Sequence, residues 1–516
     1  MSARRVERGA PEAGLEQGIR CTVARARASG RPQFLAWVAP LPELEAESGI
    51  RCLAWAGPRD RCYWERIDAG ELHFAWGSLD ELEGEGPERY AAVRAWQRDV
   101  GARLDWLGLE RPPTRPLFVG GFAFDEGGST DPDWKAFPAA RFVLPEGIIE
   151  RASGEARCVL LARIEAHGDE AALAAELVRR LDEIRRVVRG RGEPGASGLG
   201  LGDSASAGSM AGVFAGAGTE VDAEGPEYRV RADRSHARFR VQVRQALAEI
   251  ASGRFAKLVL ARSLAVEHDA DFDVPGFLAR LRGVYPSCTL IAIGRGRDSF
   301  VAATPETLVR VEGDRLETAA LAGSAPRGRT PDEDLALGRG LLASAKNRAE
   351  HAHVVEAIRA VLRPRTASLA IPAEPRLKAL FGIQHLETPI EARLAATRAD
   401  EEATDVLALV AALHPTPAVA GAPAREAAAW LRRFEGLERG WYAAPIGWLD
   451  AQGGGAFCVA LRSALIRNGV GAAGRPAGSR ARLFAGAGLV EGSDPEQELV
   501  ETRIKLRALL APLTEI

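Results

Sequence analysis

Short apolar runs bounded by glycine and proline dominate from about residue 18 to 165. Gln33-Phe-Leu-Ala-Trp37, Leu72-His-Phe-Ala-Trp76 and Pro116-Leu-Phe-Val-Gly-Gly-Phe-Ala-Phe124 read as strands, with a helix around 91–100. An Ala- and Leu-rich stretch predicts a long helix over 169–188. Residues 190–226 then turn to Gly, Ala and Ser, a composition that buries too little apolar surface to order itself. The pattern therefore divides the chain into an N-terminal α+β lobe (1–190), a flexible segment (190–226) and a C-terminal region (227–516). In that region Phe239, Val243, Ala246, Leu247 and Ile250 recur at helical spacing behind Ser235, a helix-capping residue, and Gly253 ends the helix. Lys257-Leu-Val-Leu-Ala-Arg262 reads as a strand, and further strands are expected at 289–293, 300–303, 308–312, 456–466 and 482–485. Long helices are expected at 332–362, 424–433 and 495–510. Strands interleaved irregularly with helices, joined in part by tight turns such as Glu312-Gly-Asp314, favour α+β over a doubly wound parallel sheet.

Composition narrows the functional classes. The 516 residues are 46% hydrophobic and 27% charged with a net charge of -3, so a large core is possible and no basic field invites nucleic acid. Six dispersed cysteines without Cys-x-x-Cys indicate free thiols in a reducing compartment. The polar N-terminus lacks the apolar core of a signal peptide, and no run approaches the ~20 apolar residues that span a bilayer, so a cytoplasmic location is expected. Gly198-Leu-Gly-Leu-Gly has no strand leading into it, which discounts a dinucleotide loop.

The densest chemistry lies near the C-terminus. In Phe484-Ala-Gly-Ala-Gly-Leu-Val-Glu-Gly-Ser-Asp-Pro-Glu-Gln-Glu, Gly486 and Gly488 permit a turn of positive φ or a close approach to a bound group. Ser493 with Glu496 reads as a capping box with Pro495 in the first turn. Glu498 and Glu501 share a helix face, with Lys505 one turn on; two acids on one face suggest a cation or an ordinary solvated surface. Lys257 is either a strand-end lysine in water or a desolvated base. Glu306, after Pro305, is either a turn residue or an acid. Gly323 and Ser324 offer N–H groups and a hydroxyl to an anion, or form only a turn. Glu350 lies on a helix whose His351 and His353 point to different sides, which argues against a metal clip, and His414 reads as structural.

Taken in order, Lys-Leu-Val-Leu-Ala-Arg, Thr-Pro-Glu, Leu-Ala-Gly-Ser, Glu-His, His-Leu-Glu-Thr, His-Pro-Thr-Pro-Ala-Val, Arg-Gly-Trp-Tyr, Ala-Leu-Arg, Gly-Ala-Gly and the Glu498 helix resemble the chorismate-utilising enzymes over about residues 239–510. The resemblance implies the fold of anthranilate synthase component I, with stacked, mainly antiparallel sheets and helices outside. It also implies conversion of chorismate to isochorismate: relatives that add water carry lysine at the position of Lys257, where ammonia-using relatives carry glutamine. Lys257 would activate water for attack at C2, and Glu306 would protonate the departing C4 hydroxyl. Glu350, Glu498 and Glu501 would hold Mg²⁺. Arg462 and Tyr442 would bind the enolpyruvyl carboxylate, with Gly323, Ser324, His385, Gly486, Gly488 and Lys505 lining the rest of the site.

Ala322 stands where aminodeoxychorismate synthases often carry a nucleophilic lysine. Ala418 stands where pyruvate-eliminating relatives tend to have threonine, so salicylate synthesis is the second expectation and a catalytically silent homologue the third. Ala420 and Ala444 replace the glycine or serine common among relatives, which bears on substrate fit. The Gly120-Gly121-Phe122 segment resembles long-form isochorismate synthases and points to menaquinone rather than catechol siderophore synthesis. No glutamine amidotransferase subunit is expected, and the size allows a monomer.

Overall fold

The structure, a computed structural model, describes residues 14–45, 47–108, 117–190, 228–396, 404–469 and 478–514. The Gly/Ala/Ser-rich segment lies outside these residues apart from Gly190. The described residues form two sheets, one of 13 and one of 10 strands. All pairings are antiparallel except that of Gln33–Pro40 with Leu104–Leu107. The fold is α+β.

Burial follows the two-residue period of the strands. In Gln33–Pro40, Phe34, Ala36 and Val38 join the core between the sheets, while Leu35, Trp37 and Ala39 join a second core with the helices Leu15–Ser29 and Glu170–Val188. A strand buried on both faces is mostly apolar, as Phe34 to Ala39 are here.

Both sheets draw on both ends of the chain. In the larger, Thr289–Arg295 pairs with Arg61–Arg66; in the smaller, Pro445–Leu449 pairs with Phe118–Phe122, the Gly-Gly-Phe segment. Ladders therefore run without a break from residues before 190 to residues after 228.

Several predicted elements differ. Helices Leu15–Ser29 and Ser48–Ala56 occupy a region expected to hold only strands and turns between its apolar runs. The helix expected over 332–362 is two, Pro331–Ala343 and Ala345–Leu362, because Ser344 leaves helical geometry (ψ 112°) and its hydroxyl accepts the Asn347 N–H as the cap of the second. Leu321-Ala-Gly-Ser lies in the 12-residue strand Arg315–Pro326, with the ladder displaced at Gly323 (φ 76°). Ser235 does cap His236–Ala251.

Candidate active site

At two of the places where the chain crosses between the sheets, the crossing delivers a predicted site residue. Asp298–Thr304 belongs to the larger sheet and Thr307–Glu312 to the smaller, and Pro305-Glu306 joins them. The stretch expected as one strand over 456–466 is broken the same way: Gly455–Val459 lies in the smaller sheet and Ser463–Arg467 in the larger. Arg462 takes φ 46° at that break. Ala443, beside Tyr442, has φ 60°. Both positive-φ residues line the same cavity, and such strain persists only where the surroundings fix it.

That cavity, about 770 Å³ with the open solvent at its mouth included, lies between the sheets. Lys257, Glu306, Gly323, Ser324, Glu350, His385, Ala418, Tyr442, Arg462, Gly486, Gly488, Glu501 and Lys505 line it, and Glu498 is the one predicted residue that does not. Ala322 lines it too, whereas Ala420 and Ala444 are fully buried behind the wall and leave its surface unchanged.

Lys257 opens the strand Lys257–His268 with 1% of its surface exposed, so the solvent-facing alternative is excluded. Its Nζ lies 2.9 Å from a Glu350 carboxylate oxygen. Gly486 and Gly488 form no turn; they lie within the strand Ser479–Leu489, opposite Ala261 and Val259. A Cβ at Gly488 would strike the Glu350 carboxylate, and one at Gly486 would come within 2.9 Å of the Tyr442 hydroxyl. Close approach, not positive φ, is what these glycines supply.

On the helix Pro495–Thr514 the cap also differs from expectation. Asp494 accepts the Glu496 and Gln497 N–H groups, while the Ser493 hydroxyl accepts from Val490. Lys505 donates to Glu501 (2.7 Å) and to the Gly486 carbonyl (2.9 Å), and Lys346 reaches Glu498 at 3.3 Å. Each of the three glutamates thus faces a lysine. Burial and the neighbouring Glu501 push Glu498 up to about 7, whereas for Glu501 the effect of burial is outweighed by Lys505 and Ser324, which hold it below its ordinary value.

Among the described residues no three carboxylate, His or Cys side chains converge into a ready-made metal cage. The donor chemistry still fits Mg²⁺. The crowded Glu498 and Glu501 would offer hard oxygen donors whose repulsion a cation would relieve, and Mg²⁺ takes one or two carboxylates and keeps water.

Across the cavity, burial pushes Glu306 up to about 7, against the opposing pull of Lys257, Thr416 and Lys378. Thr304 accepts the Glu306 N–H and donates to Val459, which fixes the crossing. His385 lies 3.0 Å from an Arg462 nitrogen. Burial, with Arg462 and Lys505 nearby, drives it well below its ordinary value, so the neutral ring accepts from the guanidinium.

Sequence reasoning missed several supports. Glu435 and Arg439 form a buried pair that accepts the Ala261 N–H and donates to the Val259 and Val419 carbonyls, tying the Ala418 segment to the Lys257 strand. Phe484 stacks on Tyr442 (5.1 Å, 14°), and Trp134 packs behind Phe484 (5.6 Å, 30°). The i, i+4 spacing of Glu435 and Arg439 was the available signal; Trp134 gave none. His414 lies outside the cavity, edge-on to Phe124, and His351 bonds Thr388 (2.8 Å), so both are structural.

The family described as chorismate binding enzyme matches residues 21–197 and 215–514. The chain belongs to that family. The salicylate biosynthesis isochorismate synthase of Pseudomonas aeruginosa is 38% identical over 500 residues, covering 96% of this chain and 93% of the relative. Isochorismate synthase MenF of Bacillus subtilis is 37% identical over 271 residues, 52% of this chain and 54% of its own length. Among solved structures, the menaquinone-specific isochorismate synthase MenF of Escherichia coli has a TM-score of 0.69 at 24% identity, covering 96% of this chain and 100% of that one. Anthranilate synthase component I of Streptococcus pneumoniae has a TM-score of 0.63 at 20% identity over 86% and 93%. These structural likenesses establish the fold. The chain is an enzyme of the chorismate binding family, and its described residues contain no helix long and apolar enough to cross a membrane.

Proposed function

We propose that the enzyme isomerises chorismate to isochorismate. The observation that carries this reading is a buried lysine and a buried carboxyl group pushed up to about 7 on the walls of one cavity. That is the pairing a water addition coupled to hydroxyl loss requires. In its neutral amine form, Lys257 accepts a proton from water as the water oxygen bonds to C2. The ring double bonds shift, the C4–O bond breaks, and Glu306 delivers its proton to the departing hydroxyl. One water enters and one leaves, so the net change is an isomerisation. Arg462 and Tyr442 bind the enolpyruvyl carboxylate, with neutral His385 aligning the guanidinium. Glu350, Glu498 and Glu501 are the residues that would hold Mg²⁺, which when bound neutralises the ring carboxylate.

Water as nucleophile needs no amidotransferase subunit, and six free cysteines suit a cytoplasmic enzyme. The relative matched over nearly its whole length is named for salicylate biosynthesis, which supports release of isochorismate to a separate pyruvate-expelling enzyme over the menaquinone route. Incubating purified protein with chorismate and Mg²⁺ tests the reading. Isochorismate should accumulate without pyruvate; early stoichiometric pyruvate would make the protein a salicylate synthase, and no turnover a silent homologue.

A further inference from the structure

The four-residue strand Arg376–Ala379 pairs with Ile383–Leu394 and places Lys378 opposite His385 and Arg376 opposite Glu387. None of its side chains lines the cavity. Lys378 nevertheless reaches the machinery from behind. Its ammonium donates to the Pro305 carbonyl (3.1 Å) and to Glu387 (2.8 Å), and the other Glu387 oxygen accepts from Arg376 (2.7 Å). Glu387 is 5% exposed; burial works against its charge, but Lys378 and Arg376 outweigh it and keep the carboxylate ionised. An ammonium held by a buried, doubly paired carboxylate has little freedom to leave the carbonyl it touches.

Pro305 immediately precedes Glu306 at a crossing between sheets. Its ring fixes φ, and the Pro305–Glu306 peptide is planar, so a donor on the Pro305 carbonyl sets the direction in which Glu306 projects. We propose that Lys378 is a positioning residue for the general acid: clamped by Glu387, it holds the Pro305 carbonyl and thereby aims Glu306 into the cavity. This rests on the reading of Glu306 as the acid. The groups facing that carboxyl are Lys257 from its strand, Thr416 from the Ala418 segment, Tyr442 and Lys378. Lys378 is one of two cations there, and its charge favours the ionised form of Glu306.

The test uses the full-length enzyme with Mg²⁺ and chorismate between about pH 6 and 9. Lys378→Met should lower kcat by about 10- to 100-fold, as a small misplacement of a reacting group does, with KM changed less than about twofold. The alkaline limb of kcat should move to higher pH, because Glu306 loses a cation that favoured its ionised form. Lys378→Arg, which keeps charge and donor, should restore the limb and most of kcat. Glu387→Gln, which frees the ammonium but removes the anion beside it, should lower kcat more weakly and move the limb, if at all, to lower pH; its loss of kcat carries the test if Lys378→Met does not fold. Wild-type kcat and limb in the folded variants, with Glu306→Gln inactive, would overturn the clamp and leave the acid in place. A lowered kcat with an unmoved limb in Lys378→Met would also overturn it, because general loosening does the same. An active Glu306→Gln would overturn the acid assignment itself.

Discussion

The residues before 190 and those after 228 share both sheets, yet every side chain lining the cavity comes from between 257 and 505. The first region contributes ladders and packing; the second contributes chemistry as well. The two are coupled at specific contacts. Trp134, fully buried, backs Phe484, which stacks on Tyr442, and Gly440 at φ 53° lies where any Cβ would meet the Trp134 indole. The N-terminal region thus acts on the site by fixing the wall that carries Tyr442, without lining the cavity.

This comparison breaks most sharply if the two regions respond alike to mutation. Lys257→Ala and Glu306→Gln should each lower turnover by about 10²–10⁴-fold while the protein stays folded by circular dichroism. Near-normal turnover in either would remove that residue from the mechanism. Trp134→Ala should do the opposite: a loss of about 3–5 kcal/mol in unfolding free energy, as for other buried tryptophans, with kcat of the folded fraction largely retained and KM raised as Tyr442 loosens. A denaturant midpoint unmoved by this change, or a kcat collapse matching Lys257→Ala, would erase the distinction between scaffold and site.

A third, smaller effect lies within the catalytic region. Glu306 ionises at about 7 when folded and near its ordinary 4.5 when unfolded. Below that lower value both states hold the proton. As pH rises through the interval the unfolded chain releases it first, so stability falls until both states are ionised above about pH 7. The total is about 3 kcal/mol. Glu306→Gln cannot ionise, so its stability relative to wild type should grow between about pH 5 and 8 in chemical denaturation. Turnover by the wild-type enzyme should decline over the same upper limb, as the acid loses its proton. A stability difference independent of pH would mean that Glu306 is not buried as the structure has it.

How much of this was legible beforehand depends on what each residue does. Helix spacing put Glu498, Glu501 and Lys505 on one face, and the family motifs brought Lys257, Glu306 and Arg462 into one site. The crossing at Pro305-Glu306 fell in the gap between two expected strands, but the one at Arg462 was invisible: the strands flanking it are buried and mostly apolar, so periodicity continued through a break that a single φ of 46° creates. Gly486 and Gly488 looked like a turn because glycine permits one, but their flatness serves a crowded strand. The Lys378 clamp and the Trp134 stack join residues 73 and 350 positions apart, and local patterning holds no trace of such contacts. The composition boundary near residue 190 was legible as sequence, yet the sheets run from one side of it to the other.

The smallest effect tests the carboxylate wall. Glu498 is the predicted ligand that does not line the cavity, and it stands behind Glu501 with Lys346 as its nearest cation. Glu498→Gln keeps the side chain's size and removes one of two charges that repel each other. Without metal the variant should therefore be no less stable than wild type. With metal, half-activation by Mg²⁺ should require about 10–100 times more of the ion, the range seen even when a ligand's supporting partner is lost. Calorimetric titration of Mg²⁺ in the absence of substrate gives a second reading, independent of turnover. If both titrations match wild type, the cation is held by Glu350 and Glu501 alone. The burial of Glu498 would then serve Lys346 and the helix rather than the metal.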